Sequence, residues 1–406
     1  MKALYLSLLF CTVVYLNVSS QETAQWNGPN RNGIYPGTGL LKNWPEAGPK
    51  LLWHFDSLGE GFASATVTKN HIYTAGCING KGYIFSLTHE GKLEWKLTYG
   101  EEWTENWNGT RSTPLYCDGK LYMMSPYGKV VCMGGERGNI IWSVDLLKTY
   151  GGENIQWGLT ENLLIDGDKL FCIVGGAKSS VVALNKDSGK LIWSSPGDGQ
   201  KSAYNSPLLI KLPTRKLLVA IIEKSIIGLD AETGKKLWSQ GFINQYSVHP
   251  NTPIYENGYI YCTTGYGTGG IQLKLSADGS QATLVWRNAS LDPKIGGTVM
   301  LNGKIYGFGD MNKGFHCIDW KTGKELAVEK FNQKGGNLIA SDGMLYTYDE
   351  SGEVALLQIT GTGVKKVSSF KAPFGTATHW AHMVIDDGKL YVHHGNSLMV
   401  YDIRGK

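Results

Sequence analysis

The chain has 406 residues, of which 42% are hydrophobic and 18% charged, a balance that indicates a folded soluble protein and excludes a disordered one. Its net charge is +4 and no block of lysine or arginine stands out, which disfavours nucleic acid or an anionic membrane as a partner. The 53 glycines follow no collagen period, so they predict many tight turns and therefore many short strands.

The N-terminus predicts export. Lys2 precedes an apolar run from Ala3 to Val18, and small residues follow before Gln21, as in a secretory signal peptide. We therefore expect residues 1–20 to be a signal peptide, residues 21–48 to be a leader segment, and the mature protein to be periplasmic or extracellular. The run is short for a membrane span, and no later segment is long or apolar enough for one. A lipid-anchored Cys11 is the disfavoured alternative, because Phe10 precedes it where a small residue is needed.

Two phrases alternate along the rest of the chain. The first is an Asp-Gly or Asn-Gly turn before a short apolar run, as in "CDGKLYMM" and "IDGDKLFCI"; these dipeptides supply the positive φ angles of a two-residue hairpin. The second is a glycine-centred turn before a strand that usually ends on tryptophan, as in "ALNKDSGKLIW" at residues 183–193 and "GLDAETGKKLW" at residues 228–238. Each period therefore contains two hairpins, which make the four strands of one propeller blade.

The count of innermost strands predicts eight blades. These strands are expected near Phe62, Ser112, Gly158, Asn205, Thr252, Gly297, Asn337 and Ala381. The last unit lacks an outer strand, whereas the chain opens with a spare one at Pro49–Phe55. We therefore predict an all-β fold, an eight-bladed β-propeller of four-stranded blades over residues 49–406, closed by pairing of the N-terminal strand with the C-terminal blade.

The tryptophan phrase resembles the docking repeat of pyrroloquinoline-quinone (PQQ)-type propellers. The segment "QWNGPNRNGIYPGTGLLKNWPEAGPKLLW" is similar to the leader of secreted bacterial PQQ-like repeat proteins. The resemblance covers nearly all of the mature chain. It implies either a quinoprotein dehydrogenase or a BamB-like scaffold that binds partners without a cofactor, so the function has to be argued from the site.

The longer connections point to one functional face. The tight turns lie on one side of the ring, and the opposite side carries long aromatic loops such as "KLTYGEEWTENWNGTR" and "FKAPFGTATHW". We expect Trp103, Trp107, Trp157, Tyr204, Tyr246 and Trp380 to gather there, although each could instead pack under its own loop. Such a mouth suits a small polar ligand, a glycan or a protein segment. The full set of predicted ligand-binding residues is Trp103, Trp107, Asn108, Arg111, Trp157, Glu161, Tyr204, Asn205, His249, Asn251, His379, Trp380 and His382.

Other motifs give weaker predictions. "GYGTGG" at Gly265–Gly270 fits a dinucleotide fingerprint but is followed by a strand-forming run, which disfavours a nicotinamide cofactor. A metal site would have to use His379, His382, His393 and His394, but a spacing of three on a strand points side chains to opposite faces. We therefore predict no metal site. The six cysteines after the leader sit in apolar β-type runs and are expected to be buried free thiols rather than disulfides.

Two functions remain open on these residues. The first is a ligand- or protein-binding scaffold, expected to be a monomer without a cofactor. The second is a quinoprotein-like oxidoreductase acting on an alcohol or sugar, with PQQ and Ca²⁺ at the channel mouth. Against it stand the lack of an adjacent cysteine pair, of CxxCH and of a clear acidic cluster for Ca²⁺. A hydrolase or lyase has no supporting nucleophile motif such as GxSxG.

Overall fold

The structure is a computed structural model that describes residues 21–331 and 335–405, so the predicted signal peptide lies outside the described residues. Two short strands precede the repeats: β1 (Thr23–Ala24) and β2 (Lys50–Phe55). The only helix of the described residues, α1 (Leu146–Tyr150), lies in a connection between blades. No helix among the described residues has the length and apolar character that crossing a membrane requires.

The remaining strands form the blades. Blades one to four are β3 (Thr66–Val67), β4 (Ile72–Ile78), β5 (Lys81–Leu87) and β6 (Leu93–Glu101); β7 (Leu115–Cys117), β8 (Lys120–Met124), β9 (Lys129–Gly134) and β10 (Ile140–Asp145); β11 (Leu164–Asp166), β12 (Lys169–Ile173), β13 (Ser179–Asn185) and β14 (Leu191–Pro196); β15 (Leu208–Lys211), β16 (Lys216–Ile222), β17 (Ser225–Asp230) and β18 (Lys236–Gly241). Blades five to eight are β19 (Ile254–Glu256), β20 (Tyr259–Thr264), β21 (Gly269–Leu275) and β22 (Ala282–Asn288); β23 (Val299–Leu301), β24 (Lys304–Gly309), β25 (Gly314–Asp319) and β26 (Glu325–Glu329); β27 (Gly336–Ser341), β28 (Met344–Asp349), β29 (Glu353–Ile359) and β30 (Val364–Lys371); β31 (Val384–Asp386), β32 (Lys389–His394) and β33 (Ser397–Asp402).

The prediction of an eight-bladed β-propeller is confirmed. Every blade is an antiparallel sheet whose strands follow one another in chain order, and the eighth takes β2 as its outer strand through pairs such as Trp53 with Val400. Blade two carries β1 beside its innermost strand, β7. The predicted strand starts mostly lie a few residues early, in extended segments that precede the innermost strands.

The turns have the predicted chemistry. The first residue of the Asp-Gly or Asn-Gly pair has a positive φ at Asp118 (48°), Asn257 (48°), Asn302 (53°) and Asp342 (49°). Asparagine and aspartate tolerate this region better than other residues with a Cβ, which is why these dipeptides recur at tight hairpins. The "GYGTGG" segment connects β20 to β21 on the long-loop face, and its last two residues already belong to β21.

The hydrophobic core lies between blades rather than at a single centre. One cluster joins Tyr73 and Ile84 of blade one to Leu121 and Val131 of blade two, and similar clusters lie between other neighbours. The six cysteines of the described residues are buried in these layers and none is paired, which confirms the prediction of free thiols. Burial raises the pKa of thiols such as Cys132 to about 11, so they are inert.

At six of the eight blade interfaces, a repeated tryptophan docks one blade on the next. The Nε1–H of Trp193 donates to the carbonyl oxygen of Ala231 at 3.0 Å, and its ring lies against Gly234 of the following blade. A Cβ on Gly234 would come within 2.4 Å of that ring, so the glycine of the phrase is required. Trp53, Trp95 and Trp142 donate to carbonyl oxygens in the same way.

Candidate functional site

The candidate site is a cavity of about 520 Å³ on the long-loop face, at the mouth of the central channel, and we call it the mouth cavity. Its lining combines loops from most blades with one residue of the leader. The lining residues are Trp26, Phe62, Trp107, Arg111, Trp157, Thr160, Asn162, Tyr204, Ser206, Tyr246, Val248, Pro250, Tyr266, Lys294, Ile295, Trp380 and His382. A volume of this size is typical of small-molecule sites.

Aromatic side chains form most of the wall. Trp157 is central: its ring centroid is 5.7 Å from Trp107, 6.1 Å from Tyr204 and 6.5 Å from Tyr246. Trp107 in turn lies 6.3 Å from Trp380. Trp107 and Tyr246 are about half exposed, so the array is open to solvent at the mouth. We call the set Trp107, Trp157, Tyr204, Tyr246, Tyr266 and Trp380 the aromatic wall.

Below the aromatic wall a polar belt links blades one to four. The backbone N–H of Ser64 donates to Oγ1 of Thr113 at 3.0 Å, and the N–H of Thr113 donates to Oδ1 of Asn162 at 2.7 Å. The N–H of Asn162 donates to Oγ of Ser206 at 3.1 Å. Each of these residues lies two positions before the innermost strand of its blade. The belt therefore holds neighbouring blades in register and leaves side chains of Asn162 and Ser206 in the lining.

Arg111 supplies positive charge to the wall. Its Nη2 donates to the carbonyl oxygen of Trp157, and its guanidinium lies 5.7 Å from the ring of Trp103. Burial lowers the pKa of Arg111, and the nearby Glu102 opposes this effect. Burial also raises the pKa of Glu102, while hydrogen bonds from Tyr99 and Trp103 and the charge of Arg111 oppose this rise.

Lys294 is the second cation in the lining, but it is paired. Its Nζ lies 3.4 Å from Asp310 and 3.7 Å from Glu350. Glu350 also accepts a hydrogen bond from Nε1 of Trp380 at 2.9 Å, which fixes that indole at the rim. The two carboxylates lie beside the mouth cavity rather than in its lining.

The predicted residues divide into two groups. Six of them line the mouth cavity: Trp107, Arg111, Trp157, Tyr204, Trp380 and His382. Trp103 is buried beneath it and donates through Nε1 to the carbonyl oxygen of Asn106 at 3.1 Å. Asn108 donates to the carboxylate of Glu60 and is also outside the lining.

Successive side chains of an extended backbone point in opposite directions, which explains why four other candidates lie outside the lining. Glu161 stands between Thr160 and Asn162, both of which line the cavity, so it points into its own blade and accepts the N–H of Ile173 at 2.8 Å. Asn205, between Tyr204 and Ser206, accepts the N–H of Ile221 at 3.1 Å. His249 and Asn251 flank the lining residue Pro250 and are fully buried.

The late histidines do not converge. His379 stacks on His394 at 3.6 Å between ring centroids, and its Nδ1 contacts the hydroxyl of Tyr348 at 2.5 Å. His393 contacts the carbonyl oxygens of Ala63 and Gly395. His382 alone lines the cavity, and burial lowers its pKa to about 4, so it is neutral at pH 7. No group of three or more His, Cys, Asp or Glu side chains in the described ranges is arranged to hold a metal ion.

Several lining residues escaped the sequence analysis. Phe62, Thr160 and Pro250 occupy the same repeat position as Arg111 and Tyr204, so an alignment of blades on that position would have found them. Trp26 comes from the leader, which is outside the repeat and offers no such signal. Tyr266, whose ring centroid lies 4.8 Å from that of Tyr246, belongs to the "GYGTGG" segment, which was considered only as a dinucleotide motif.

The lining fits PQQ with Ca²⁺, the group that the fold suggests, only in part. Aromatic faces and Arg111 suit a flat ring that carries carboxylates. Ca²⁺ prefers carboxylate and carbonyl oxygens, and among the described residues the lining contains no aspartate or glutamate. The calcium part of such a group therefore does not fit these walls.

Comparison with known proteins agrees with the fold. A family model described as "Outer membrane protein assembly factor BamB" matches residues 100–212 and 177–294. A quinoprotein ethanol dehydrogenase of Pseudomonas putida is 26% identical over 137 residues, which are 33% of this chain but only 20% of the dehydrogenase. The quinoprotein alcohol dehydrogenase PedH of Pseudomonas putida is 24% identical over 127 residues, 31% of this chain and 20% of its own.

Solved structures extend the likeness over most of the chain. BamB from Moraxella catarrhalis superposes with a TM-score of 0.62 at 13% identity, over 87% of this chain and 99% of that one. A europium-containing methanol dehydrogenase superposes with a TM-score of 0.53 at 13% identity, over 92% of this chain and 90% of its own. At these identities the superpositions establish a shared fold only.

Proposed function

Since this chain is a β-propeller that is similar to BamB and to quinoprotein dehydrogenases, a fold that hosts both scaffolds and enzymes, we propose that it is a binding scaffold whose ligand occupies the mouth cavity. One observation carries the proposal: the aromatic wall lines a cavity of about 520 Å³ on the long-loop face. Rigid aromatic side chains offer large contact areas at small entropic cost, which suits them to binding. The apolar N-terminus and the likeness to an outer membrane protein assembly factor support an exported protein.

The charge of the lining favours an anionic ligand. Lys294 is paired with two carboxylates, whereas the buried Nε of Arg111 has no hydrogen-bond partner among the described residues. The lining has no carboxylate of its own among the described residues. The ligand class is therefore a small ring with an acidic group, for which an aryl or sugar carboxylate would qualify.

A first experiment uses 1-anilinonaphthalene-8-sulfonate, a fluorescent aromatic anion, as the probe. We expect one saturable site in the wild type and at least a tenfold weaker Kd in Trp157→Ala, because Trp157 contacts three other members of the aromatic wall. Trp95→Ala, which removes a docking tryptophan from the tight-turn side, is the matched control and should leave the Kd unchanged. Competition with benzoate or galacturonate then separates aryl from sugar acids.

The proposal fails if the wild type shows no saturable site, or if Trp157→Ala and Trp95→Ala bind the probe equally.

The alternative function is a quinoprotein-like oxidoreductase acting on an alcohol or sugar. The matches to quinoprotein alcohol dehydrogenases favour it, whereas the lack of carboxylates in the lining speaks against its calcium site. The test is the absorbance spectrum of the protein with PQQ and Ca²⁺, together with dye-linked oxidation of ethanol and glucose. A saturable quinone spectrum with turnover would replace the scaffold proposal by this one.

A further inference from the structure

The leader crosses the tight-turn face and enters the central channel. Its β1 pairs with β7 of blade two, and Ile34 forms a parallel bridge with Ala340 of blade seven, three blades away around the ring. Leu40 then bridges to Arg404 beyond blade eight. Between these anchors, residues 25–33 form a compact loop inside the ring, in contact with blades that lie far apart in sequence.

The loop is held by internal hydrogen bonds. The N–H of Gly33 donates to the carbonyl oxygen of Asn27 at 2.9 Å, and Nδ2 of Asn27 donates to the carbonyl oxygen of Arg31 at 3.1 Å. Asn27 and Gly28 both have positive φ angles, 66° and 84°, which reverse the chain directly after Trp26. The loop therefore presents Trp26 at its tip.

Arg31 fastens the loop to blade three. Its Nη1 donates to the carbonyl oxygen of Leu163 at 2.9 Å, and its Nη2 donates to that of Asn162, a member of the polar belt, at 2.7 Å. Nη1 also donates to Oε1 of Gln25 at 3.2 Å, within the leader itself. Arg31 is only 3% exposed and is absent from the lining, so its role is to hold the loop in place.

Trp26 reaches the mouth cavity from below. It lines the cavity while remaining only 8% exposed, and its ring centroid lies 5.0 Å from that of His382 on blade eight. An indole in this position presents an aromatic surface to whatever enters from the mouth.

We infer that the leader is a built-in part of the binding site: Trp26 forms the floor of the mouth cavity and determines its depth and specificity. The inference rests on the proposed function. It predicts a cavity that is closed at its base and binds a compact ring-containing ligand, with one ring face against Trp26. It does not predict a polymer chain that passes through the channel. Because the floor and the walls come from separate parts of the chain, the site exists only while the leader is docked.

The test measures 1-anilinonaphthalene-8-sulfonate binding by full-length mature variants. We expect Trp26→Ala to weaken the Kd at least tenfold and Trp26→Phe, which keeps an aromatic floor, to stay within about threefold of the wild type. Arg31→Ala should weaken binding as Trp26→Ala does, although Arg31 does not line the cavity, because it releases the loop. Trp95→Ala serves as the control for loss of a tryptophan, and a calorimetric melt of each variant verifies that the blades fold.

The outcomes separate the two claims. If the wild type binds the probe at one saturable site and Trp26→Ala binds equally well, the leader is not the floor, while the proposed function stands. If the wild type itself shows no saturable site, the proposed function fails first. If Trp26→Ala does not fold, the affinities of Trp26→Phe and Arg31→Ala for the probe are compared instead. Equal affinity of these two variants would overturn the inference.

Discussion

Replacing Trp193 with alanine is expected to lower the free energy of unfolding by about 3–5 kcal/mol, the range for removing a large buried aromatic side chain. Trp193 is 8% exposed, its ring lies 5.8 Å from Phe171, and its Nε1–H donates across the blade interface to Ala231. The substitution removes this contact and leaves a cavity over Gly234, where no side chain exists to fill it. Urea denaturation followed by fluorescence measures the change.

Trp193→Phe separates the apolar contact of the ring from its hydrogen bond. It keeps most of the apolar contact but loses the hydrogen bond to Ala231, so it should cost roughly 1–2 kcal/mol. Neither variant should change the affinity for ligand, since Trp193 is outside the lining of the mouth cavity. Equal stability of wild type and Trp193→Ala would contradict the docking role of the repeated phrase.

Glu161→Gln should remove a large pH dependence of stability. Glu161 is fully buried, its Oε1 has no hydrogen-bond partner among the described residues, and burial raises its pKa from 4.5 to about 8. Arg31 favours the charged form but does not offset the burial. In the unfolded chain this carboxyl ionises above pH 4.5, whereas in the folded protein it stays protonated up to about pH 8.

The sign follows from proton binding. Between these two pH values the folded state binds more protons than the unfolded state, so the contribution of Glu161 to stability falls as the pH rises. A pKa that rises from 4.5 to about 8 corresponds to roughly 4–5 kcal/mol lost by pH 9. Stability curves of wild type and Glu161→Gln should therefore nearly coincide at pH 4.5 and separate up to pH 9, with the variant more stable.

The exposed Glu46→Gln is the matched control and should follow the wild type at every pH. Parallel curves for wild type and Glu161→Gln from pH 5 to pH 9 would mean that Glu161 is solvated or ion-paired in the folded protein.

The ring of blades was predictable from the sequence because its determinants are local. A positive φ at Asp118 or Asn302 requires particular residues at a turn, and a tryptophan over a glycine requires both at fixed spacing. These requirements recur in most of the blades, so they remain visible in a single chain. The aromatic side chains of the long loops were also predictable, because these loops interrupt the repeat. Trp107 and Tyr246 belong to no strand and are accordingly about half exposed.

The finer composition of the site was not predictable from the same patterns. Glu161, Asn205 and Asn251 differ from the lining residues beside them by one step of an extended backbone, and the register of that step depends on where the innermost strand begins. The route of the leader depends on contacts with blades two, three, seven and eight, which are far from it in sequence. Trp26 could therefore be placed only by the folded structure.

The central claim is that this propeller acts through its mouth cavity, and the most direct measurement is ligand-observed NMR with a library of ring-shaped acids on wild type and Thr160→Tyr. Thr160 lines the cavity, and its hydroxyl makes only a 3.5 Å contact with the carbonyl oxygen of Tyr204, so a tyrosine there fills the space while removing little. We predict that acids bind the wild type and that the filled variant loses them. Binding that persists unchanged in Thr160→Tyr would contradict the account.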